Sequence, residues 1–463
     1  MPVRGDDTIV ACATAPGRGA IAIVRLSGRD ALRIARRVSA SIPAVARTTA
    51  LATLHAPDAP AQLIDHALVT WFQGPHSYTG EDVVEFAVHG GTLVSTLVVE
   101  ACVTAGARPA LAGEFTERAV LHNKLDLVQA EAVADLIDAR TRAAHRAAVR
   151  QMDGALSQRL AAMRDALLQV DALIAFDIDF PSEDDAPPSR ARVVAACDEA
   201  IEQVERLLAT LPAAALGRDG ALVVLAGPPN AGKSALLNAL VGEARVIVSD
   251  IPGTTRDAVE VFVDDSPYPL RLVDTAGLRT SGDTLERLGI EVSERYLAQA
   301  QVVLACAESA EALRATVSAV QRLTVGAVIG VATKCDLWVP SSRRPEHTEI
   351  HGDGSFSAEL RVSSVTGEGL AALRGAIRQA LTDQVAPPAD DIPVITRARH
   401  EAALRRAAEE LRAFRWTWEA GTLPAPVAAT HLRAAVTALE SLIGYVDVED
   451  VLERVFRAFC VGK

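Results

Sequence analysis

One stretch restricts the fold more than any other. Gly227-Pro228-Pro229-Asn230-Ala231-Gly232-Lys233-Ser234 follows the branched apolar run Ala221-Leu222-Val223-Val224-Leu225-Ala226 and precedes Ala235-Leu236-Leu237-Asn238-Ala239-Leu240. The spacing G-x-x-x-x-G-K-S between a strand and a helix is that of a phosphate-binding loop. Backbone N–H groups and the positive end of a helix converge there on an anion. A chain carrying it has to build an α/β domain around that strand–loop–helix unit. Residues 230–235 then line the phosphates, with Lys233 reaching the β- and γ-phosphates and the Ser234 hydroxyl on Mg²⁺.

Three further motifs follow in the order such a domain needs. Ser249-Asp250-Ile251-Pro252-Gly253-Thr254-Thr255 is a polar loop before an expected strand over 258–263. Thr255 there closes the Mg²⁺ sphere only when a γ-phosphate is present. The run Leu270–Val273 delivers Asp274-Thr275-Ala276-Gly277, with the aspartate at a strand end near the metal and the Gly277 N–H near the γ-phosphate. The run Val328–Ala332 leads into Thr333-Lys334-Cys335-Asp336. Guanine alone offers the N1–H and N2–H₂ pair that a carboxylate accepts in bidentate fashion, so Asp336 selects GTP over ATP. Ser363, in the loop after the last strand, adds a backbone contact to the base. A Ras-like GTPase domain is expected.

Two details depart from that pattern. Thr333 stands where an asparagine is usual, and a hydroxyl cannot replace the amide's donor and acceptor together, which costs about 0.5–1.5 kcal/mol. The position after Asp274-Thr275-Ala276-Gly277 is Leu278, so no glutamine orients the attacking water. Glu286 and a cation near Asn230 remain as candidates.

The chain is 463 residues long, enough for about three domains. Residues 1–124 alternate short branched runs with Gly and Pro, an α+β domain with strands expected at 9–12, 21–26, 66–72 and 83–88. Helical spacing governs 125–216 and 385–463, and strand–helix alternation governs 217–384. An α/β domain inserted into one helical domain is expected, with its two connections close together. The six scattered cysteines suit a reducing compartment, and with no apolar leader or spanning run the expectation is a cytoplasmic protein that meets no membrane. A net charge of −13 disfavours a non-specific nucleic-acid coat. The row Arg142, Arg146 and Arg150 reads as a solvated face or as an RNA ridge.

Other short stretches share one resemblance: Pro16-Gly17-Arg18-Gly19, Gly80-Glu81-Asp82, Gly113-Glu114-Phe115-Thr116-Glu117-Arg118, Asn123-Lys124-Leu125-Asp126 and the terminal Cys460-Val461-Gly462-Lys463. With the nucleotide motifs they resemble the tRNA-modification GTPase family MnmE (also called TrmE) along the whole chain. The resemblance implies a multidomain fold: an N-terminal α+β folate-binding-like domain, a helical domain and the inserted GTPase domain. It implies that Asn230, with Ser249, Ile251 and Thr254, holds K⁺ where other GTPases use an arginine. It implies that Glu286 orients water and that Arg25, Glu85, Lys124 and Lys463 contact a 5-formyltetrahydrofolate. Cys460 is implied as a reactive thiol, against the plainer reading of a buried small side chain. A homodimer, an FAD-dependent MnmG-like partner in a heterotetramer or larger assembly, and tRNA are implied as well. Together these would install an aminomethyl or carboxymethylaminomethyl group at C5 of the wobble uridine. A regulatory G protein in ribosome assembly and a folate aminomethyltransferase with a vestigial G domain remain the alternatives.

Overall fold

The computed structural model describes residues 7–179, 190–242, 245–247, 260–265, 267–274, 294–337, 357–387, 389, 392–421, 424–444, 459, 461 and 462. Residues 249–255 and 275–277, with Glu286, Cys460 and Lys463, lie outside the described residues, as do 445–458 of the helical stretch expected over 385–463. The chain divides into two compact units. One comprises Met1–Ala134, Gln151–Ala200 and Arg406–Lys463, the other Asp135–Arg150 and Ile201–Arg405.

In the first unit, β1 (Ile9–Cys12), β2 (Ile21–Ser27), β3 (Thr49–Ala56), β4 (Ala59–Phe72), β5 (Val83–His89) and β6 (Arg108–Pro109) form one sheet in the order β3-β4-β5-β2-β1-β6. Its pairs are antiparallel except β1 with β6. Ala22, Val24 and Leu26 of β2 point inward at period two, while Ile21, Ile23 and Arg25 between them are more exposed. The inward face packs under α1 (Ala31–Val38) and α2 (Thr92–Thr104), where Ile34, Val98 and Cys102 meet Val24, Leu54 and Phe86. The strand at Thr49–Ala56 is not among those expected from the sequence. Its Ala and Leu residues are good helix formers, and pairing along β4 overrides that local preference.

The helices that follow are α3 (Glu114–Leu121), α4 (Leu127–Asp138), α5 (Arg142–Met152), α6 (Ala155–Asp179), α7 (Arg190–Leu208), α8 (Leu211–Asp219), α9 (Lys233–Gly242), α10 (Ala310–Val320), α11 (Leu370–Gln384), α12 (Ala398–Ala420) and α13 (Ala425–Ile443). Helical segments from both sides of the nucleotide motifs pack together: α6 lies along α13, with Arg433 on Asp171 at 3.0 Å. Phe459 is buried against Leu127 and Ala130. Val461 makes an antiparallel bridge to Ala112.

The second unit carries β7 (Ala221–Ala226), β8 (Arg245–Ile247), β9 (Glu260–Asp264), β10 (Leu270–Asp274), β11 (Val302–Ala307), β12 (Ala327–Ala332) and β13 (Ser357–Arg361), ordered β13-β12-β11-β7-β10-β9-β8. β13, β12, β11, β7 and β10 run parallel, β9 is antiparallel to β10, and β8 is antiparallel to β9. Every residue of β7 is buried, as a strand covered on both faces requires. Val223 and Leu225 face Leu236 of α9 and Leu373 of α11, while Leu222 and Val224 face Leu313 and Val317 of α10. The two connections to this sheet meet: the Thr210 hydroxyl accepts the Ile395 N–H at 2.9 Å, and Arg218 donates to the Thr396 carbonyl at 3.0 Å. The α/β domain is thus inserted, as expected.

Candidate functional site

The sheet order puts a crevice where a ligand site belongs. β7 lies between β10 and β11, the point from which the chain builds the sheet first to one side and then to the other. Open α/β sheets bind ligands beyond the carboxyl ends of their strands at such a point. The loop 227–232 leaves β7 there and runs into α9. At Gly227 (φ 151°) a Cβ would sit 2.1 Å from the Cys306 carbonyl of β11, so no side chain fits. Gly232 (φ 75°) turns the chain into the helix, and Asn230 takes a left-handed conformation at φ 64° on the exposed part of the loop.

The charged groups converge on this loop. Lys233 is 5% exposed, and its ammonium donates to the carbonyls of Gly227 at 2.9 Å and Pro228 at 2.8 Å. The Ser234 hydroxyl donates to Oδ2 of Asp274, which ends β10 and is itself buried. β10 is the parallel neighbour of β7, so the serine at the start of α9 and the aspartate at the strand end face each other by construction.

The base motif leaves β12. Thr333 is 2% exposed and Lys334 is left-handed at φ 56°, followed by a 3₁₀ turn over Cys335–Leu337 in which Asp336 is exposed. Lys334 pairs with Glu308. The Cys335 N–H bonds the Val362 carbonyl at 3.3 Å, joining this loop to the one after β13. There Ser363 is fully buried, its hydroxyl accepting the N–H groups of Val365 and Thr366. Residues 230–235, Asp274, Thr333, Lys334, Asp336 and Ser363 therefore all stand at carboxyl ends of parallel strands.

The first unit holds the folate candidates and a charge cluster that local reading did not single out. Arg25 and Glu85 are direct partners across β2 and β5 and form an ion pair at 2.8 Å, with the guanidinium 5.5 Å from the Tyr78 ring and 5.7 Å from that of Phe115. Lys124 is exposed after α3, its stem 3.4 Å from where a Cβ on Gly80 would sit. Gly462 (φ 97°), next to Lys463, backs onto the Cys12 carbonyl so closely that a Cβ would lie 2.3 Å from it. Beneath them, Arg118 is 1% exposed and bonds Asp7 at 2.7 Å, Glu81 at 3.0 Å and Glu114 at 3.1 Å. Arg108 adds a 2.6 Å bond to Glu114, and Ser27 donates to Glu81. Burial pushes the Glu114 carboxyl up, but the Arg108 guanidinium, the Leu111 N–H and Arg118 reverse this and leave it below its usual range. Two of the family-like stretches, around Glu81 and Arg118, thus serve to hold the domain together. In the basic row on α5, Arg142 pairs with Asp264 at 3.1 Å, which favours the solvated-face reading there.

A phosphate loop, a metal-side hydroxyl with its strand-end carboxylate, and a base loop opening on one crevice are the arrangement of a Ras-like P-loop GTPase domain. Residues 8–124 match the family model described as GTP-binding protein TrmE N-terminus, and residues 127–460 match the MnmE helical domain. The chain is 41% identical over 469 residues to the tRNA modification GTPase MnmE of Symbiobacterium thermophilum, covering 99% of this chain and 100% of that one. It is 41% identical to that of Thermus thermophilus and 40% to that of an Azoarcus species, covering 99% of each chain. The chain belongs to the MnmE family of tRNA modification GTPases.

Proposed function

We propose that the chain hydrolyses GTP and, with an FAD-dependent MnmG-like partner, installs an aminomethyl-type group at C5 of the wobble uridine of tRNAs. The observation that carries the nucleotide half is the Ser234 hydroxyl facing the Asp274 carboxylate beside the phosphate loop. Paired hard oxygen donors suit Mg²⁺, which prefers oxygen ligands and keeps waters of its own. Ser234 and Thr255 would hold it directly, with Asp274 behind. Once bound, Mg²⁺ neutralises charge on the β- and γ-phosphates.

The protein's own groups do the rest. Lys233 leaves its backbone carbonyls for phosphate oxygens, and Asp336 with Ser363 reads the guanine. Switch residues 249–255 and 275–277 respond to the γ-phosphate, and Glu286 orients the attacking water. K⁺ would be held by Asn230, Ser249, Ile251 and Thr254. The exposed, left-handed Asn230 at the crevice is what supports that role.

A folate of the 5-formyltetrahydrofolate type would bind at Arg25, Glu85, Lys124 and Lys463. The partly buried Arg25–Glu85 pair offers such a ligand a donor beside an acceptor. Cys460 is the thiol assigned to that site. A homodimer through the N-terminal domain is supported by apolar side chains on the outer side of the sheet. Leu51 (69% exposed) faces Leu68 (47%) across β3 and β4. No described helix is long and apolar enough to cross a membrane, and the proposed location is the cytoplasm, where tRNA and GTP are found.

Mass spectrometry of wobble uridines in cells lacking the protein tests the reading. Unmodified uridine is expected, and normally modified uridine would overturn it. Turnover in K⁺ is expected to exceed turnover in Na⁺, and equal rates would remove K⁺ from the site.

A further inference from the structure

Helix α1 carries more positive charge than its own stability calls for. Arg29, Arg33, Arg36 and Arg37 stand there against one acid of the same stretch, Asp30, in a chain of net charge −13. Ala31, Ile34, Ala35 and Val38 form the buried side of the helix, and all four arginines are exposed on the other. Positions 33, 36 and 37 leave one helix face within a turn of each other. Local pairing uses only part of this charge. Arg33 bonds Asp30 at 3.0 Å and still keeps 59% of its side chain exposed. Arg37 donates to the Ala105 carbonyl at 3.0 Å and lies 4.0 Å from the exposed Asp58. The Arg36 guanidinium makes no hydrogen bond or ion pair among the described residues. The helix dipole favours Arg36 and Arg37 in the last turn but disfavours Arg33 in the first, a turn that holds no acid.

The face also has no apolar centre. Among the described residues, no large exposed apolar side chain lies between Ile21 and Val45. Protein interfaces are anchored by buried aromatic and aliphatic groups, and membrane-surface helices by an apolar face, so a row of arginines alone fits neither. It fits phosphate, whose oxygens a guanidinium binds in bidentate fashion. Resting on the tRNA reading above, we propose that the exposed side of α1, from Arg29 to Arg37, is a contact surface for the phosphate backbone of tRNA. Such contacts fix where the RNA lies and carry no sequence information.

The experiment measures tRNA binding by the full chain across a salt series, in wild type, Arg36→Gln, Arg36→Lys and the triple variant Arg33→Gln, Arg37→Gln, Arg36→Gln. Arg322→Gln removes the same charge from the α/β domain as a control. Each lost phosphate contact lowers the slope of log K against log salt by about 0.7–0.9, which is roughly fivefold in affinity near physiological salt. Arg36→Gln is expected to lose one such step, equally for every tRNA, and the triple variant two to three. Arg36→Lys and Arg322→Gln should keep the wild-type slope, and GTP turnover without tRNA should be unchanged throughout. Arg36→Gln decides the matter alone if the triple variant does not fold. An unchanged slope in Arg36→Gln, or an equal loss in Arg322→Gln, overturns the surface. Weakened binding of the FAD-dependent partner with tRNA binding intact overturns it in favour of a protein-docking face. A wild-type protein that binds no tRNA overturns the tRNA reading itself, and the surface with it.

Discussion

The nucleotide crevice and the Arg118 cluster are both built from buried charge, and they differ in where that charge is satisfied. Arg118 spends its guanidinium on Asp7, Glu81 and Glu114, three carboxylates of its own domain. Lys233, nearly as buried, donates to two backbone carbonyls of the phosphate loop itself, partners that a phosphate can displace. A buried cation with full carboxylate partners is a structural part. A buried cation held by the backbone of a loop at the mouth of a crevice is placed to receive a ligand.

The largest effect that would break this contrast is at Arg118. Arg118→Ala leaves Glu81 without its cation and Glu114 with Arg108 alone, which costs about 3–5 kcal/mol. Denaturant unfolding is expected to register that loss in the N-terminal unit, with GTP affinity unchanged. Lys233→Ala should behave in the opposite way, weakening GTP binding by about 1.5–3 kcal/mol while shifting the melting temperature little. A large stability loss in that variant would make Lys233 structural too.

The smallest effect is in acid. The carboxyls of Asp7 and Glu114 are held below their ordinary values of 3.8 and 4.5 in the fold, against burial, by Arg108 and Arg118. The unfolded chain therefore takes up protons first. The stability these groups supply is present above those ordinary values and is lost as pH falls through the lower folded ones. Thermal melts between pH 5 and pH 3, as a rough window, should show the N-terminal unit weakening, and a wild-type slope retained in Arg108→Ala would contradict the assignment.

The contrast also explains what was legible beforehand. The phosphate loop is contiguous in sequence, so its strand, turn and helix are written side by side, and the strands that present Asp274 and Asp336 announce themselves as apolar runs. The Arg118 partners lie 111, 37 and 4 residues away, a set that only the folded sheet gathers. Thr333 was visible as a departure. Its burial was not, because that depends on how closely β12 brings its loop to the one after β7. The β3 strand was missed for a similar reason: its structure comes from a partner strand rather than from its own residues.

The bridge between Ala112 and Val461 has a consequence for how the molecule is made. The residues of the N-terminal sheet emerge from a ribosome first, yet part of their covering is encoded several hundred residues downstream, beyond the whole nucleotide domain. Synthesis proceeds at about 5–20 residues per second. That sheet must therefore stand incomplete for tens of seconds, its rim near Cys12 uncovered, while a second domain is built in the interval.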